Sequence, residues 1–550
     1  MMLTRRACLS VTGLSVTGLA GAAALVGPDR SYAASSPRRG GTLTIAFRDD
    51  IATLDPAIGY DFQNWALIRA LFCGLMDYEP GTTTLRPGLA ETVSLSPDAL
   101  VYRFTLRRGL RFHHGREVTA ADVVYSLRRT IHPATQSPGQ SFYAAIEGFG
   151  PFVAGETQEL PGLSAPDPHT VVIRLSRPYA PFLHALALNF ASVVPRDMVE
   201  RYGADFGRHP VGCGAFRFDT WRIGQSVVLR RYEAYYEPGL PYLDRIIAEI
   251  GQETLTAMLR LERGEIDVVG DGIPPARLNA IRRDPRFQGL IGIRPRLATT
   301  YLAMNVTKPP FDTLRVRQAV AHAIDKTRIV RLINGRGEPT DQIFPRGLPG
   351  YDPSFSGPVY DPARARSLLR EAGWKDGFQT DLMTAATDPN PRIAQALQQD
   401  LEAIGIRASL RVLARPAMIE AACSGTGAPL IWSGDTGWSA DFPDPSDFYG
   451  PILSVAASAP GGWNWARYRN AGIDALAADA DAMAAPSQAP ARLKRWQAIQ
   501  AAILADQPWV PLYNPLFFVP HTARIQGAEA LFTDPVVTPV NFMHVYAVEG

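Results

Sequence analysis

The stretch DPARARSLLREAG, residues 361–373, is the clearest single element of the chain. Asp361 can cap a helix, Pro362 suits the first helical position, and Gly373 suits the end. Between them, apolar residues recur on one helical face, namely Ala365, Leu368, Leu369 and Ala372. Residues 405–412, GIRASLRV, then predict a turn and a strand.

The same alternation of helix and strand extends in both directions from this stretch. Asp312 or Thr313 begins a predicted helix with Val316, Ala319, Val320 and Ala323 on its buried face. A second helix is predicted after Thr119, and strands are predicted at residues 42–47, 101–106, 171–175 and 227–230. Interleaved strands and helices indicate an α/β or mixed α+β protein. With 550 residues, of which 46% are hydrophobic, the chain can form two or three lobes.

The N-terminal segment is typical of an export signal. Arg5 and Arg6 precede a weakly apolar run, residues 7–27, and small residues follow at Ser31 and Ala33. This order predicts a cleaved signal over residues 1–33. The arginine pair resembles a twin-arginine signal. An uncleaved membrane anchor is the alternative, although frequent Gly, Ser and Thr weaken insertion.

Composition and motifs exclude several classes of protein. The net charge is only +2, so nothing suggests a nucleic-acid partner. We find no G-x-S-x-G, H-E-x-x-H, P-loop or G-x-G-x-x-G motif, and an exported enzyme is therefore disfavoured. No cofactor is expected. His113 and His114 are adjacent and so point to opposite faces of a strand, which argues against a metal pair.

Three cysteines follow the predicted signal, namely Cys73, Cys213 and Cys423. Their spacing fits no zinc pattern. An odd number allows at most one intramolecular disulfide, and which pair would form it stays open.

A series of short motifs, each weak alone, occurs in a fixed order along the chain. They lie at residues 40–43, 54–56, 89–91, 96–98, 102–107, 112–115, 119–123, 210–216, 241–244, 264–267, 305–326, 361–373 and 438–445. Together they resemble family 5 of the bacterial extracellular solute-binding proteins, the dipeptide-, oligopeptide- and nickel-binding group. The resemblance covers about residues 40–515.

The resemblance implies a two-lobed periplasmic-binding-protein fold with a hinge and an extra small domain. Lobe I would be discontinuous, formed by residues 40–76, 188–297 and 516–550. Residues 77–187 would form the small domain packed on lobe I, and residues 298–515 would form lobe III. Two crossings, near residues 300–302 and 509–511, would form the hinge.

The resemblance also implies where a ligand binds. Asp441, in the Trp-x-Ala-Asp segment, matches the aspartate that receives the ligand's α-ammonium in peptide-binding relatives. Gly437, Trp438 and Ser439 match the stretch that lines the cleft. The alternative for Asp441 is a turn-capping residue in an Asp/Pro-rich loop, which is the role we expect for Asp444 and Asp447.

Further contacts are expected from Asp50, Ala52 and Phe142, which match ligand-touching positions of peptide binders. Trp463, beside Asn464 and Trp465, can wall a pocket or pack between lobes. A cationic clamp for a ligand carboxylate is also expected. Arg346, Arg415 and Arg467 are its candidates, and the sequence does not choose among them.

These observations predict a non-enzymatic, monomeric periplasmic protein that captures a small peptide or peptide-like solute for an ABC permease. The alternatives are a binder of a metal chelate, haem, opine or other non-peptide solute, or a partner that reports ligand occupancy to a sensor. The predicted location is the periplasm, reached by the twin-arginine route.

Overall fold

A computed structural model describes residues 37–425, 427–434, 437–527 and 541–548. The predicted export signal lies outside the described residues. The chain from Arg38 onward forms one compact unit. None of the described helices is both long enough and apolar enough to span a membrane.

The strands are β1 (Thr42–Ala46), β2 (Met76–Tyr78), β3 (Leu85–Pro87), β4 (Ala90–Leu95), β5 (Val101–Leu106), β6 (Leu163–Asp167), β7 (Thr170–Arg174), β8 (Phe216–Arg222), β9 (Ser226–Arg231), β10 (Arg245–Glu249), β11 (Val268–Val269), β12 (Ile291–Pro295), β13 (Ala298–Met304), β14 (Gly337–Pro339), β15 (Phe378–Ala385), β16 (Ile406–Leu413), β17 (Leu430–Trp432), β18 (Trp438–Ser439), β19 (Trp509–Pro520), β20 (Ile525–Gln526) and β21 (Tyr546–Ala547).

The α-helices are α1 (Phe62–Leu71), α2 (Ala120–Ile131), α3 (Phe149–Val153), α4 (Phe182–Ala185), α5 (Arg196–Tyr202), α6 (Thr254–Glu262), α7 (Leu278–Arg283), α8 (Leu314–Ala323), α9 (Lys326–Leu332), α10 (Pro362–Glu371), α11 (Asn390–Glu402), α12 (Arg415–Ser424), α13 (Ala471–Ala482) and α14 (Ala489–Asp506).

A five-stranded sheet runs in the order β11-β1-β10-β9-β8. Strand β1, predicted from its alternating pattern, pairs in parallel with β10 and β11, which lie far along the chain. Arg524 holds this edge, because its guanidinium pairs with Asp267 and donates to the carbonyl oxygen of Thr42 at 2.8 Å.

A four-stranded antiparallel sheet, β4-β5-β7-β6, packs against α2. The predicted strands at residues 101–106 and 171–175 are confirmed as β5 and β7. The predicted start of α2 at Thr119 is also confirmed, and the backbone N–H of Thr119 donates to the Asp122 carboxylate at 2.9 Å. Capping residues of this kind satisfy backbone groups that the first helical turn leaves open.

The largest sheet has eight strands, in the order β12-β19-β13-β17-β15-β16, with β14 paired to β19 and β18 paired to β13. The predicted helices α8 and α10 are confirmed. Asp361 caps α10, with a carboxylate that accepts from the backbone N–H of Arg364 at 2.9 Å. Strand β16 confirms the strand predicted after Gly405.

The residue ranges of the three sheets can be compared with the predicted limits of the lobes. The five-stranded sheet takes residues 42–46 and 216–269, the four-stranded sheet residues 90–174, and the eight-stranded sheet residues 291–520. Strand β12 and the end of β19 thus belong to the eight-stranded sheet, although the predicted lobe I includes them. The lobe limits and the hinge stay predictions. At the two predicted crossings, β13 and β19 pair directly, with Leu302 opposite Val510.

Candidate functional site

The short strand β18 brings the segment from Gly437 to Asp441 against β13. Trp438 lies opposite Thr299, and the backbone N–H of Ala440 donates to the carbonyl oxygen of Leu297 at 2.7 Å. Glycine is required at position 437, because a Cβ there would lie 2.8 Å from the carbonyl oxygen of Thr299. The contact is closer than real Cβ atoms tolerate. The sequence at Gly437 therefore lets the loop lie directly on the sheet.

Asp441 is a buried carboxylate at the end of this segment, with 9% of its surface exposed. The Tyr60 hydroxyl donates to its Oδ1 at 2.6 Å. Among the described residues, no lysine or arginine pairs with it. Burial raises the pKa of Asp441 to about 6, even though the Tyr60 hydrogen bond opposes this shift. A charged carboxylate here lacks a positive partner.

Asp447 lies beside Asp441 and holds the segment in place. Its Oδ2 accepts from the backbone N–H of Asp441 at 2.9 Å and from the Trp438 indole N–H at 3.1 Å. Burial and the neighbouring Asp441 raise the pKa of Asp447 well above its usual range. Asp441 and Asp447 thus share a dry environment, in which a nearby cation would stabilise the ionised form of a carboxylate.

Asp444 has a structural role in the same loop, as predicted. Its Oδ1 accepts from the backbone N–H of Ser446 at 2.9 Å, and the Arg492 guanidinium pairs with both carboxylate oxygens at 2.6 and 2.8 Å. Burial favours the neutral form, but Arg492 outweighs it and the pKa of Asp444 is lowered. The charge of Asp444 is satisfied within the protein.

A pocket of about 500 Å³ lies beside the same segment. Gly437 and Ser439 line one side, and β19 contributes Phe517. Four arginines and one aspartate also line it, namely Arg48, Arg296, Arg336, Arg392 and Asp271. Asp435 and Thr436 lie between lining residues in the sequence but outside the described residues. The pocket is large enough for a small ligand.

Arg296 and Arg336 flank β19 on its two edges. The backbone N–H of Arg296 donates to the carbonyl oxygen of Pro515 at 2.9 Å, and the N–H of Leu516 donates to the carbonyl oxygen of Arg336 at 2.9 Å. The Arg336 guanidinium makes no hydrogen bond or ion pair with another described residue, and burial lowers its pKa. Arg296 is exposed yet lies in a concavity, where the surrounding protein lowers its pKa as well. Arg336 is therefore a candidate partner for an anion.

Arg392 and Arg48 are less available, because each has an acidic neighbour. Arg392 pairs with Asp388 at 2.9 Å, and Arg48 pairs with Asp49 at 3.2 Å. All four of these side chains are exposed, so the pairs are weak and can rearrange.

The other predicted contact residues, Trp463 and Phe142, are not among the described residues that line the pocket. Trp463 is 36% exposed and meets Trp438 edge to face, with ring centroids 6.3 Å apart. Phe142 stacks on Phe190 and meets Phe442 edge to face, each at 6.0 Å. Phe142 therefore packs against the residue next to Asp441.

Asp50 and Ala52 are exposed. The Asp50 carboxylate accepts from the backbone N–H of Ile51 at 2.7 Å. Neither residue is among the described residues that line the pocket.

The candidates for a carboxylate clamp lie elsewhere. Arg467 donates to four backbone carbonyl oxygens, those of Ser458, Ala459, Ala422 and Cys423. Arg346 pairs with Glu338 at 3.4 Å. Neither of them nor Arg415 is among the described residues that line the pocket. The bonds of Arg467 show why an arginine's role cannot be inferred from its type alone.

The two histidines of the turn have separate partners. His113 makes contacts with the backbone of Gly212 and Gly214 at 3.2 and 3.1 Å, and His114 pairs with Asp197 at 3.2 Å. Within the described part of the chain, no group of three or more His, Cys, Asp or Glu side chains can hold a metal ion.

Sequence reasoning missed Tyr60 and Arg336. Tyr60 lies 381 residues from Asp441 along the chain, and no local pattern connects them. Arg336 precedes the three-residue strand β14, in a segment without a strong periodic signal.

Comparison with solved structures identifies the class of protein. The chain superposes on the periplasmic binding protein DppA from Helicobacter pylori, in complex with the peptide STSA, with a TM-score of 0.74, 27% identity, and coverage of 93% of this chain and 99% of that one. It also matches clavulanic acid biosynthesis oligopeptide binding protein 2, with a TM-score of 0.83, 26% identity, and coverage of 94% and 97%. The predicted mixed α/β, two-lobed binding-protein fold is confirmed.

Sequence comparison then identifies the family. Residues 84–459 match the family described as bacterial extracellular solute-binding proteins, family 5. The chain belongs to this family, as its motifs predicted, and the family consists of solute-binding proteins rather than enzymes. Among curated relatives, the glutathione-binding protein GsiB of Escherichia coli K12 is 28% identical over 491 residues, covering 88% of this chain and 91% of the relative. GsiB of Salmonella choleraesuis has the same identity and coverage.

Proposed function

We propose that this protein is the periplasmic binding component of an ABC importer and that it captures a small peptide or peptide-like solute with a free amino group. The observation that carries the proposal is Asp441, a buried carboxylate whose side chain has, among the described residues, only the Tyr60 hydroxyl as partner. Two similar proteins support this class of ligand, because one is named as a glutathione-binding protein and the other as an oligopeptide binding protein. Glutathione is the first solute to test.

The ligand's ammonium group supplies the charge that Asp441 lacks. A carboxylate in a dry site binds a cation more strongly than at a wet surface, because little solvent screens the pair. Asp447 fixes the Asp441 backbone, because its carboxyl oxygen accepts from the Asp441 N–H. In the ligand-free protein, the Tyr60 hydroxyl takes the place of the ammonium donor. Asp441 therefore selects ligands that bring their own positive charge.

An anionic group of the ligand binds at the other end, near Arg336 and Arg296. These arginines replace the earlier candidates for the carboxylate clamp, since Arg336 has no competing ion pair among the described residues. Guanidinium groups suit carboxylates because they can donate two parallel hydrogen bonds. Asp441 is not among the described residues that line the pocket, whereas Gly437 and Ser439 of the same segment are. In this proposal a zwitterion runs along these two residues from Asp441 toward Arg336.

The remaining predicted contacts stay part of the proposal. Trp438 and Trp463 form an aromatic wall, supported by their edge-to-face contact. Phe142 supports the Asp441 region through Phe442. Asp50 and Ala52 extend the contact surface for a longer ligand.

Closure of two lobes about a hinge completes the proposed cycle. The Tyr60–Asp441 hydrogen bond joins residues of the predicted lobes I and III. A ligand that bridges the two lobes favours the closed form, and the permease then recognises that form. We also propose that the protein acts as a monomer without nucleic acid and is exported by the twin-arginine route, on the basis of Arg5 and Arg6.

A direct test uses calorimetry with matched ligands. Protein purified from its own periplasm is first analysed by native mass spectrometry to identify any bound solute. Glutathione and a set of short peptides are then titrated at pH 7, each beside an N-acetylated analogue. We expect acetylation to weaken binding by about 2–5 kcal/mol, the typical cost of breaking a buried charge pair. Equal binding of free and acetylated ligands would remove the ammonium role, and turnover of the ligand would contradict a binding protein.

A further inference from the structure

Two cysteines that play no part in the proposed site lie side by side in the structure. Cys73 follows α1, and Cys213 lies in the loop before β8. The two segments are in direct backbone contact, since the N–H of Gly214 donates to the carbonyl oxygen of Leu71 at 2.9 Å. The glycines on either side of Cys213 permit this approach. A Cβ at position 212 would lie 2.0 Å from the carbonyl oxygen of Leu71, and one at 214 would lie 2.5 Å from that of Ala70.

The Cys73 side chain is directed at Cys213 across this contact. The Cys73 thiol donates to the carbonyl oxygen of Cys213 at 3.8 Å. The neighbouring Cys213 side chain and burial together raise the pKa of the Cys73 thiol well above its usual range. Disulfides need Cα atoms within about 7 Å and side chains directed at each other. The backbone contact and the Cys73 thiol 3.8 Å from the Cys213 carbonyl oxygen point to that geometry.

The third cysteine is separate from this pair. Cys423 lies in α12, and its carbonyl oxygen accepts from Arg467 at 2.7 Å. Its surroundings belong to the eight-stranded sheet region. Of the three cysteines after the predicted signal, Cys73 and Cys213 are the pair for which the described residues show a direct contact.

We propose that Cys73 and Cys213 form a disulfide once the protein reaches an oxidising compartment. Both thiols are free in the structure. The oxidant is a disulfide, either of a thiol–disulfide oxidoreductase or of a small molecule. One thiolate attacks that disulfide and displaces one of its sulfurs as a thiol, and the second thiolate then displaces the other. The two cysteines lose two electrons and two protons, and the oxidant leaves as two thiols. Disulfides of this kind persist in the periplasm.

The bond closes a long loop at its base. Residues 73–213 include the four-stranded sheet and α2. Both sulfurs lie where the chain leaves and re-enters the region of the five-stranded sheet. A covalent link there restricts the unfolded chain, and longer loops are restricted more. We expect reduction to lower the melting temperature by roughly 2–5 °C for a chain of this size.

The high pKa of Cys73 has a kinetic consequence. The thiolate is the attacking species, so a thiol whose pKa is raised reacts slowly at neutral pH. Fully folded, reduced protein is therefore expected to oxidise slowly, whereas protein that is still folding oxidises quickly.

The test is a disulfide map of the wild-type protein purified from the periplasm. Free thiols are alkylated in denaturant before digestion without reductant. We expect the peptides containing Cys73 and Cys213 to be recovered linked, lighter by two hydrogens than their sum, with Cys423 alkylated as the internal control. C423S should keep the link and melt at the wild-type temperature. C73S and C213S should each lack the link and melt at a lower temperature. Recovery of Cys73 and Cys213 as alkylated thiols, or of either one linked to Cys423, would overturn the proposal without any variant.

Discussion

Asp441 and Asp444 lie in the same loop, and both carboxylates are buried, yet their surroundings differ. Asp444 pairs with Arg492 through two hydrogen bonds, at 2.6 and 2.8 Å, and its pKa is lowered. Within the described part of the chain, the Asp441 side chain bonds only the Tyr60 hydroxyl, at 2.6 Å, and burial raises its pKa to about 6. A buried carboxylate with its own arginine belongs to the folded framework. In the proposed function, a carboxylate without such a partner pairs with the ligand's ammonium group.

The two aspartates also affect the stability of the protein differently. An unpaired buried charge costs several kcal/mol, so Asp441 weakens the free protein unless it takes up a proton. Asp444 and Arg492 meanwhile connect the loop to α14. Asp444 therefore holds the loop that carries Asp441 in place.

The largest expected effect follows from removing the cation of the framework pair. Arg492→Met leaves Asp444 without its partner and removes the 3.0 Å pair with Asp481. We expect the free energy of unfolding to fall by about 3–5 kcal/mol, measured by guanidinium denaturation at pH 7.

The matched control lies on the same helix. Arg495 pairs with Asp479 at 3.4 Å, and both side chains are exposed. Arg495→Met should therefore cost less than about 1 kcal/mol. Similar losses for the two variants would show that Arg492 has no special structural role.

The second effect concerns the ligand rather than the fold. Asp441→Asn removes the charge but keeps an oxygen that can accept from Tyr60. We expect the Kd of a peptide with a free amino group to rise about 30- to 5,000-fold, by calorimetry, while the free energy of unfolding falls by no more than about 1 kcal/mol. The variant should also bind the N-acetylated peptide as well as the free one. A large loss of stability with unchanged affinity would place Asp441 in the same class as Asp444.

The third effect is a dependence of affinity on pH. The pKa of Asp441 is about 6 in the free protein, and a bound ammonium favours the ionised form, so protonation competes with binding. We expect the Kd to rise about tenfold per pH unit below pH 6 and to stay constant near pH 7. The stability contribution of Asp441 has the opposite sign, because its folded-state pKa is raised. This contribution is present below about pH 4 and is lost as the pH rises through about 6.

Calorimetry between pH 5 and 7.5 checks this dependence. The profile should become flat in Asp441→Asn. A profile that persists in that variant would assign the titration to another group.

The smallest expected effect comes from the hydroxyl that takes the ammonium's place. Tyr60→Phe keeps the ring contacts with Trp65 and Phe190, both at 5.5 Å, but removes the donor to Asp441. We expect the free energy of unfolding to fall by about 0.5–1.5 kcal/mol, because a hydrogen bond is lost. The pKa of Asp441 should rise further, and the midpoint of the binding profile should move to higher pH. An unchanged midpoint would mean that the hydroxyl does not affect Asp441.

Local signals predicted the elements that depend on neighbouring residues. Thr119 and Asp361 begin α2 and α10 as their cap chemistry indicates, because capping involves residues only a few positions apart. The motif around Trp438 likewise predicted ligand-binding residues from one short stretch, and their role stays a prediction. In these cases the physical cause lies within one short stretch of chain.

Long-range pairing was not predictable in the same way. Nothing near Tyr60 indicates that its hydroxyl lies 2.6 Å from Asp441. The three arginines proposed as clamps were chosen by residue type, and Arg467 instead serves four carbonyl oxygens of its own loops. An arginine's role depends on which charges the fold brings to it, and that information is distributed over the whole chain.

Strand β19 begins at Trp509, whereas its partner β13 ends at Met304. At ribosomal elongation rates of about 5–20 residues per second, roughly 10–40 s separate their synthesis. Throughout that interval β12, β13 and β14 present hydrogen-bonding edges to the cytosol, where another nascent chain can pair with them. Until β19 is synthesised, pairing of these edges with other chains is expected to limit the yield of folded protein.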